Sequence, residues 1–486
     1  MGEIKSSWRN LIGGKWVDGG GGERIPVENP ATRETVAEIA RATADDVDRA
    51  VRAAAACHRS GALTDMRPGD RGRMIVDCAR LLRARKDEIA EVLTLEQGKS
   101  LAESLIEIEG TARYFEYYGG MADKIEGRYI PLGKGYADYT VPVPYGVSAQ
   151  IIPWNFPLEM IGRGLAPALA AGNAVVVKTP ELTPLSSTFI AEICQEVGLP
   201  DGAVNMLAGY GGEAGAALAS HPDVNQIVFT GSVATGKKIA HAAAENIVPA
   251  VLELGGKSAG IVYADADMDA VVESTRWGIF FNSGQVCSAM SRLVVHESVH
   301  DEVVSRIVDM AEGLSIGPGI DNNEITPVVS GPQLDKIENH ALGAVQEGAA
   351  AATGGRRVPD APGHFMTPTI LTGVTADMTV NREEIFGPVL AVLRFKDEAE
   401  ALDIANGTEF GLAAGVFTRD LDRAVRVAEK LDAGSVFVNE WYAGGVETPF
   451  GGTKKSGIGR EKGLDGLANY TQAKNVGIRN ILTAEA

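Results

Sequence analysis

Hydrophobic positions in the first quarter of the chain keep helical time. Val47, Val51 and Ala54 form one stripe over 43–61, and Thr43 with Asp46 three residues later resembles a capping box with a shortened acid. The stripe resumes over 69–95 through Ile75, Ala79, Leu82, Ile89 and Leu93, and 100–126 completes a helical opening segment. At 127–147 the pattern changes to short aromatic and β-branched runs separated by turn residues, which predicts a strand hairpin. Its prolines suit an edge or a projecting arm better than the middle of a sheet.

From 147 onward strands and helices alternate. Strand-like runs fall at 147–152, 174–179, 203–209 and 226–231, with helices at 162–171, 184–196, 212–220 and after Gly231. That rhythm predicts a mostly parallel sheet covered by helices on both faces. A second α/β unit begins near 254, with strands at 258–263, 292–297, 389–395 and 435–440. The tail at 469–476 repeats the polar-aromatic character of the hairpin. No internal repeat or low-complexity segment interrupts the chain.

Composition narrows the function classes. A length of 486 residues points to two or three domains, and 45% hydrophobic with 22% charged residues is ordinary for a globular protein. The 58 glycines exceed the usual share and hint at sites built from loops. A formal charge of −19 argues against nucleic acid, whose backbone needs a positive surface. The first twenty residues lack a basic start followed by an apolar run, and no apolar stretch is long enough to span a bilayer. The expectation is a cytoplasmic protein without a membrane partner. Four cysteines spread without a CxxC pair form neither a disulfide framework nor a metal cluster, so no metal is expected. Cys57, Cys78 and Cys194 sit in helical patterns as apolar filler.

Cys287 stands apart. In FFNSGQVCSAMSR the thiol follows Asn-Ser-Gly-Gln and precedes small residues, a setting that can expose sulfur at a junction where backbone N–H groups stabilise thiolate. A buried structural thiol is the competing reading. Glu253 ends an apolar segment before Gly-Gly, so its carboxyl should be partly desolvated and suited to act as a general base. A buried Glu253 paired with Lys257 is the alternative. Asn155, between two prolines in IIPWNFP, offers an uncharged donor to a developing oxyanion, or is a turn former. Gly231 and Ser232 lie between a strand and a helix, where small residues leave N–H groups free for an anion, although the spacing is not that of a glycine-rich dinucleotide motif. Lys178 and Glu181 end another strand. Glu181 can take both hydroxyls of an adenosine ribose and would repel a 2′-phosphate, which favours NAD over NADP.

Seven segments in order, PWNFP (153–157), KTPE (178–181), FTGS (229–232), LELGGK (252–257), FNSGQVC (281–287), EEIFGPV (383–389) and PFGG-x-K-x-SG-x-GRE (449–461), resemble the aldehyde dehydrogenase superfamily. The resemblance covers essentially the whole chain. It implies an α/β fold with a modified Rossmann NAD-binding domain (1–126 and 148–253), an α/β catalytic domain (254–468) and a small β oligomerisation arm (127–147 and 469–486). It further implies Cys287 as nucleophile and Glu253 as general base, with Asn155 and the Cys287 backbone N–H as oxyanion hole. Trp154, Lys178, Glu181, Gly231, Ser232, Glu384 and Phe386 are the implied cofactor-binding residues, and a homodimer or homotetramer the implied assembly. The implied reaction is NAD-dependent oxidation of an aldehyde to its acid through a Cys287 thiohemiacetal and a thioester, the latter hydrolysed by water that Glu253 activates.

The same resemblance places Phe156, Met160, Arg163, Val286, Ser288, Gly444 and Phe450 along the substrate tunnel. Arg163 stands where many members carry tryptophan, and Gly444 where an aromatic often sits. An arginine there suits a carboxylate-bearing semialdehyde. That substrate type's second arginine corresponds to Phe281, and Glu159, four residues before Arg163, can neutralise it as an internal ion pair. A broader aliphatic or aromatic aldehyde and an aminoaldehyde aided by Glu159 are the other readings. Glu253 counts against a CoA-acylating relative, and the scarcity of cationic tunnel residues against a phosphorylated substrate. A non-catalytic NAD-binding structural protein would not need Cys287, Glu253 and Asn155 together.

Overall fold

A computed structural model describes residues 5–479; residues 1–4 of the expected cofactor domain and 480–486 of the expected arm lie outside the described residues. The predicted box at Thr43 forms: Thr43 Oγ1 accepts the Asp46 N–H, and the Asp46 carboxylate accepts the Thr43 N–H. The 69–95 stretch is two helices, Pro68–Ala84 and Lys86–Gln97, parted at Arg85, whose φ of −106° is not helical. The apolar stripe continues across that break, so periodicity alone does not register it. The opening segment ends in the helix Leu101–Met121. The region expected to be helical at 212–220 is a π turn, Gly211–Gly215, running into the short helix Ala216–Ala219.

The first large sheet has five parallel central strands, in the order Ala250–Glu253, Gln226–Thr230, Val147–Ile151, Ala174–Thr179 and Val204–Ala208. All six residues of Ala174–Thr179 are buried, as a strand covered on both faces requires. The chain proceeds outward from Val147–Ile151 through two strands, then returns to build on its other side. That reversal opens a crevice beyond the strand ends, the place where α/β sheets bind ligands. Antiparallel additions close both edges: Asn10–Ile12 with Lys15–Val17 on one, Gly457–Ile458 on the other. Gly457–Ile458 comes from far along the sequence and pairs with Leu252 and Glu253, so the carboxy-terminal region braces the strand that carries Glu253.

The second sheet runs Ala350–Thr353, Thr369–Thr372, Val389–Phe395, Arg292–His296, Ala259–Val262, Ala413–Phe417 and Ser435–Val438, parallel except for its first strand. Three of these, at 350–353, 369–372 and 413–417, have no distinct signal in the apolar pattern. The hairpin Tyr129–Ile130 and Tyr136–Pro144 forms a separate antiparallel sheet with Thr471–Arg479, in continuous register from Thr471 opposite Pro144 to Arg479 opposite Tyr136. Among the described residues no helix is long and apolar enough to cross a membrane.

Candidate active site

Cys287 follows a backbone held far from its easy conformations. Asn282 and Ser283 have φ of 47° and 51°, and Gly284 follows at 72°. Left-handed geometry is costly for residues with a side chain, so it persists only where neighbours fix it. Here the Asn282 N–H donates to Glu103 Oε1 (2.7 Å), Ser283 Oγ to the Thr326 carbonyl (2.8 Å), and Gln285 Oε1 accepts the Val329 N–H (2.9 Å). A Cβ at Gly284 would lie 2.1 Å from the Gly387 carbonyl oxygen, so this position must be glycine for the two loops to meet.

Of the four cysteines only Cys287 is partly exposed; the other three are buried. It lines a cleft with Trp154, Glu253, Glu384 and Phe386, where protein encloses most of it. Burial therefore pushes the thiol up to about 12, with Glu253 and Glu384 adding to the rise and Arg163 opposing it. Glu253 and Asn155 line the same cleft. The Glu253 carboxyl is 3% exposed, and neither of its oxygens has a hydrogen-bond partner. Burial first, and then the nearby Glu461 charge, raise its pKa well above the carboxylate range, against the pull of Arg163 and Arg460. The proposed Glu253–Lys257 pair does not form: Lys257 Nζ is also buried without a partner, and burial brings its pKa down to about 7. The Asn155 side-chain amide donates one proton to the Gln285 carbonyl (2.9 Å), which orients it beside the nucleophile loop.

The expected cofactor residues are partly gathered. Trp154, Gly231, Ser232, Glu384 and Phe386 line the cleft. Ser232 caps the helix Val233–Asn246 by accepting the Thr235 N–H, which puts that helix's N-terminus at the cleft wall. Glu384 accepts the Gly256 N–H (3.0 Å) and lies where a Cβ on Gly255 would be, 2.3 Å away. Phe386, at φ 63°, meets Trp154 edge-on at 5.3 Å, and Gln333 Nε2 donates to the Phe386 carbonyl (3.0 Å). Lys178 and Glu181 stand one strand along, joined by a 2.8 Å ion pair. Gln333 and Lys336 also line the cleft and were missed; polar residues three apart on an amphipathic helix look like its solvent face.

On the tunnel side the structure corrects one expectation. Arg163 pairs with Glu461 at 2.6 Å, not with Glu159; Glu159 instead accepts the Tyr114 hydroxyl (3.2 Å). Arg163 and Glu461 belong to segments almost 300 positions apart, so local spacing cannot reveal the pair. The guanidinium also lies 4.7 Å from the Phe450 ring and touches Met160 Sδ, which leaves it enclosed rather than open to a substrate. Phe156 and Met160 line the cleft itself. Val286 lines a small cavity behind the nucleophile with Ile279 and Ala289, and the Ser288 carbonyl accepts the Trp441 indole N–H. Gly444 lies in an exposed turn at φ 117°. An aromatic wall was not foreseen: Phe281 stacks on Phe156 at 5.7 Å and meets Trp277 and Tyr442 at 5.8 and 6.4 Å.

The model of the "Aldehyde dehydrogenase family" matches residues 16–476. The chain is 44% identical over 469 residues to aldehyde dehydrogenase family 2 member B4, mitochondrial, of Arabidopsis thaliana, covering 96% of this chain and 87% of that one. It is 42% identical over 481 residues to retinal dehydrogenase 2 of Homo sapiens, covering 98% and 92%. The NAD+ complex of aldehyde dehydrogenase from Bacillus cereus superposes with a TM-score of 0.95 at 41% identity, covering 97% and 96% of the two chains.

Proposed function

The chain belongs to the aldehyde dehydrogenase family, and from that premise we propose that it oxidises an apolar aliphatic or aromatic aldehyde to its acid with NAD. The observation that carries the reading is the convergence of Cys287, Glu253 and Asn155 on one cleft with Trp154, Ser232, Glu384 and Phe386. The residues present fit a dinucleotide. A helix N-terminus would offer N–H groups to a pyrophosphate, Glu384 and the Trp154–Phe386 pair would hold the nicotinamide end, and Glu181 would take the adenosine ribose hydroxyls. Bound NAD supplies the hydride acceptor.

The protein's own part begins with a proton. A thiol pushed up to about 12 is neutral at pH 7, so attack requires a base, and Glu253 accepts that proton directly or through water. Sulfur bonds to the carbonyl carbon, and the second Asn155 N–H with the Cys287 backbone N–H receives the oxyanion. After loss of hydride the acyl group is a thioester on Cys287. Glu253 gives the thiol proton up to solvent and then takes one from water, whose oxygen bonds to the acyl carbon; the C–S bond breaks to release the acid, and the leaving thiolate recovers its proton from Glu253.

Substrate class follows from the cleft and what adjoins it. Phe156 lines the cleft beside Cys287 and continues into an aromatic cluster with Phe281, Trp277 and Tyr442, while Arg163 is neutralised by Glu461 and Glu159 accepts the Tyr114 hydroxyl. Arg163 is thus not free for a carboxylate, and Glu159 does not line the cleft, which supports an apolar aldehyde over a semialdehyde or aminoaldehyde. The domain division given above and a homo-oligomer joined through the 129–144 and 471–479 sheet belong to the same reading. A screen of NADH formation with hexanal, benzaldehyde, succinate semialdehyde and an aminoaldehyde tests it. The first two should show the highest kcat/KM, and preference for either charged aldehyde would overturn the substrate assignment.

A further inference from the structure

Three buried charges on the helix Leu101–Met121 and its entrance have no role in the steps above. Glu103 and Glu107, four residues apart, share one face of the helix, and Lys99 lies just before its N-cap, Ser100. All three are buried, Lys99 and Glu107 almost completely. Buried charge is expensive unless every donor and acceptor is used. Here they are used on the two loops that carry the reaction.

Lys99 Nζ donates to Glu107 Oε2 and to the Asn155 carbonyl (2.8 Å), and sits 3.8 Å from the centre of the Phe156 ring. Its three N–H bonds thus have a carboxylate, a carbonyl and a π face. Glu107 Oε1 accepts the N–H groups of Leu158 (2.9 Å) and Glu159 (3.2 Å). These are orphan donors at the start of the helix Pro157–Ala171, whose own N-cap residue, Phe156, has no side chain able to cap it. Glu103 works in the other direction. One of its oxygens closes the capping box with Ser100 (2.9 Å) and the other takes the Asn282 N–H (2.7 Å). Asn282 completes the circuit by donating its side-chain amide to the Asn155 carbonyl (3.1 Å).

We infer that Lys99, Glu103 and Glu107 form a brace that fixes the Asn155 loop relative to the Cys287 loop, making them positioning residues for the oxyanion hole. The inference rests on the role given to Asn155 above. Both loops hang from a single helix face, so the distance between amide donor and nucleophile is set by a rigid element instead of by two flexible segments. Misplacement by about 1 Å can cost on the order of a hundredfold in rate, which is the scale at stake.

A double-mutant cycle tests it on the full-length enzyme. Asn155→Ala should lower kcat by about 100-fold or more. Lys99→Met should lower kcat by about 10- to 100-fold while leaving the Kd for NAD, from fluorescence titration, within about twofold. In the Asn155→Ala background Lys99→Met should cost less than about threefold more, because the group it positions is already gone. Glu107→Gln keeps an acceptor for the helix N–H groups but releases Lys99, and serves the same cycle if Lys99→Met does not fold. Glu103→Leu, which removes the acceptor for the Asn282 N–H, should lower kcat in the same way and lose that effect in the Asn155→Ala background. Equal losses with and without Asn155 would overturn the brace while sparing the oxyanion reading. An Asn155→Ala enzyme of normal kcat would overturn both.

Discussion

Replacing Glu461 by Gln keeps its shape and removes the charge that neutralises Arg163. The two side chains are 5% and 6% exposed, so solvent screens them little, and removing one partner of such a buried pair costs about 3–5 kcal/mol of stability. The more specific consequence falls on the base. Glu461 raises the pKa of Glu253 and Arg163 lowers it, so Glu461→Gln removes the first effect and leaves the second unopposed. The acid limb of kcat/KM against pH, which reports the free enzyme, should therefore move to lower pH. Arg163→Met should do the opposite, since it frees the raising effect of Glu461 and also withdraws the charge that eases ionisation of Cys287. The assay is NADH formation across pH on both variants, with thermal unfolding run in parallel. Limbs that stay put, or that move in the same direction in both variants, would refute the electrostatic account of Glu253.

Two further outcomes follow from the cofactor cleft. Gly255→Ala puts a methyl group where the Glu384 carboxyl lies, so that side chain must swing away and give up the Gly256 N–H; the Kd for NAD should weaken by about 10- to 100-fold, the worth of one hydrogen bond to a charged group, as isothermal titration would read. Glu181→Ser removes the carboxylate paired with Lys178 and leaves that ammonium free for a 2′-phosphate; the ratio of kcat/KM for NADP to that for NAD should rise by about tenfold or more.

What could be read from the chain was whatever is local in sequence. The Thr43 box, the buried strand at 174–179 and the helix starting after Ser232 each announce themselves within a few residues, and the hairpin at 127–147 gives away its partner by matching character in the tail. The strands at 350–353, 369–372 and 413–417 do not, because each is only four or five residues long and too short for alternation to separate a strand from a turn, and 350–353 is alanine and threonine with little preference of its own. The site divides in the same way. Cys287, Glu253 and Asn155 were visible as odd residues in apolar or strained settings, yet the partner of Arg163 was not, since Glu461 arrives from the far end of the chain. Lys99, Glu103 and Glu107 are spaced in the sequence like the polar residues at the start of any amphipathic helix. Only the packing of that helix against two loops turns them inward.

The central claim is covalent: an acyl group resides on Cys287 and leaves with the help of Glu253. Intact-protein and peptide mass spectrometry of the enzyme, acid-quenched during turnover of benzaldehyde with NAD, tests it most directly. The account predicts a single added benzoyl group on the peptide carrying Cys287, formed with NAD and not without it, and none in the Cys287→Ala or Glu253→Gln variant. An acyl group on Cys57, Cys78 or Cys194, or full turnover by a protein lacking Cys287, would contradict it.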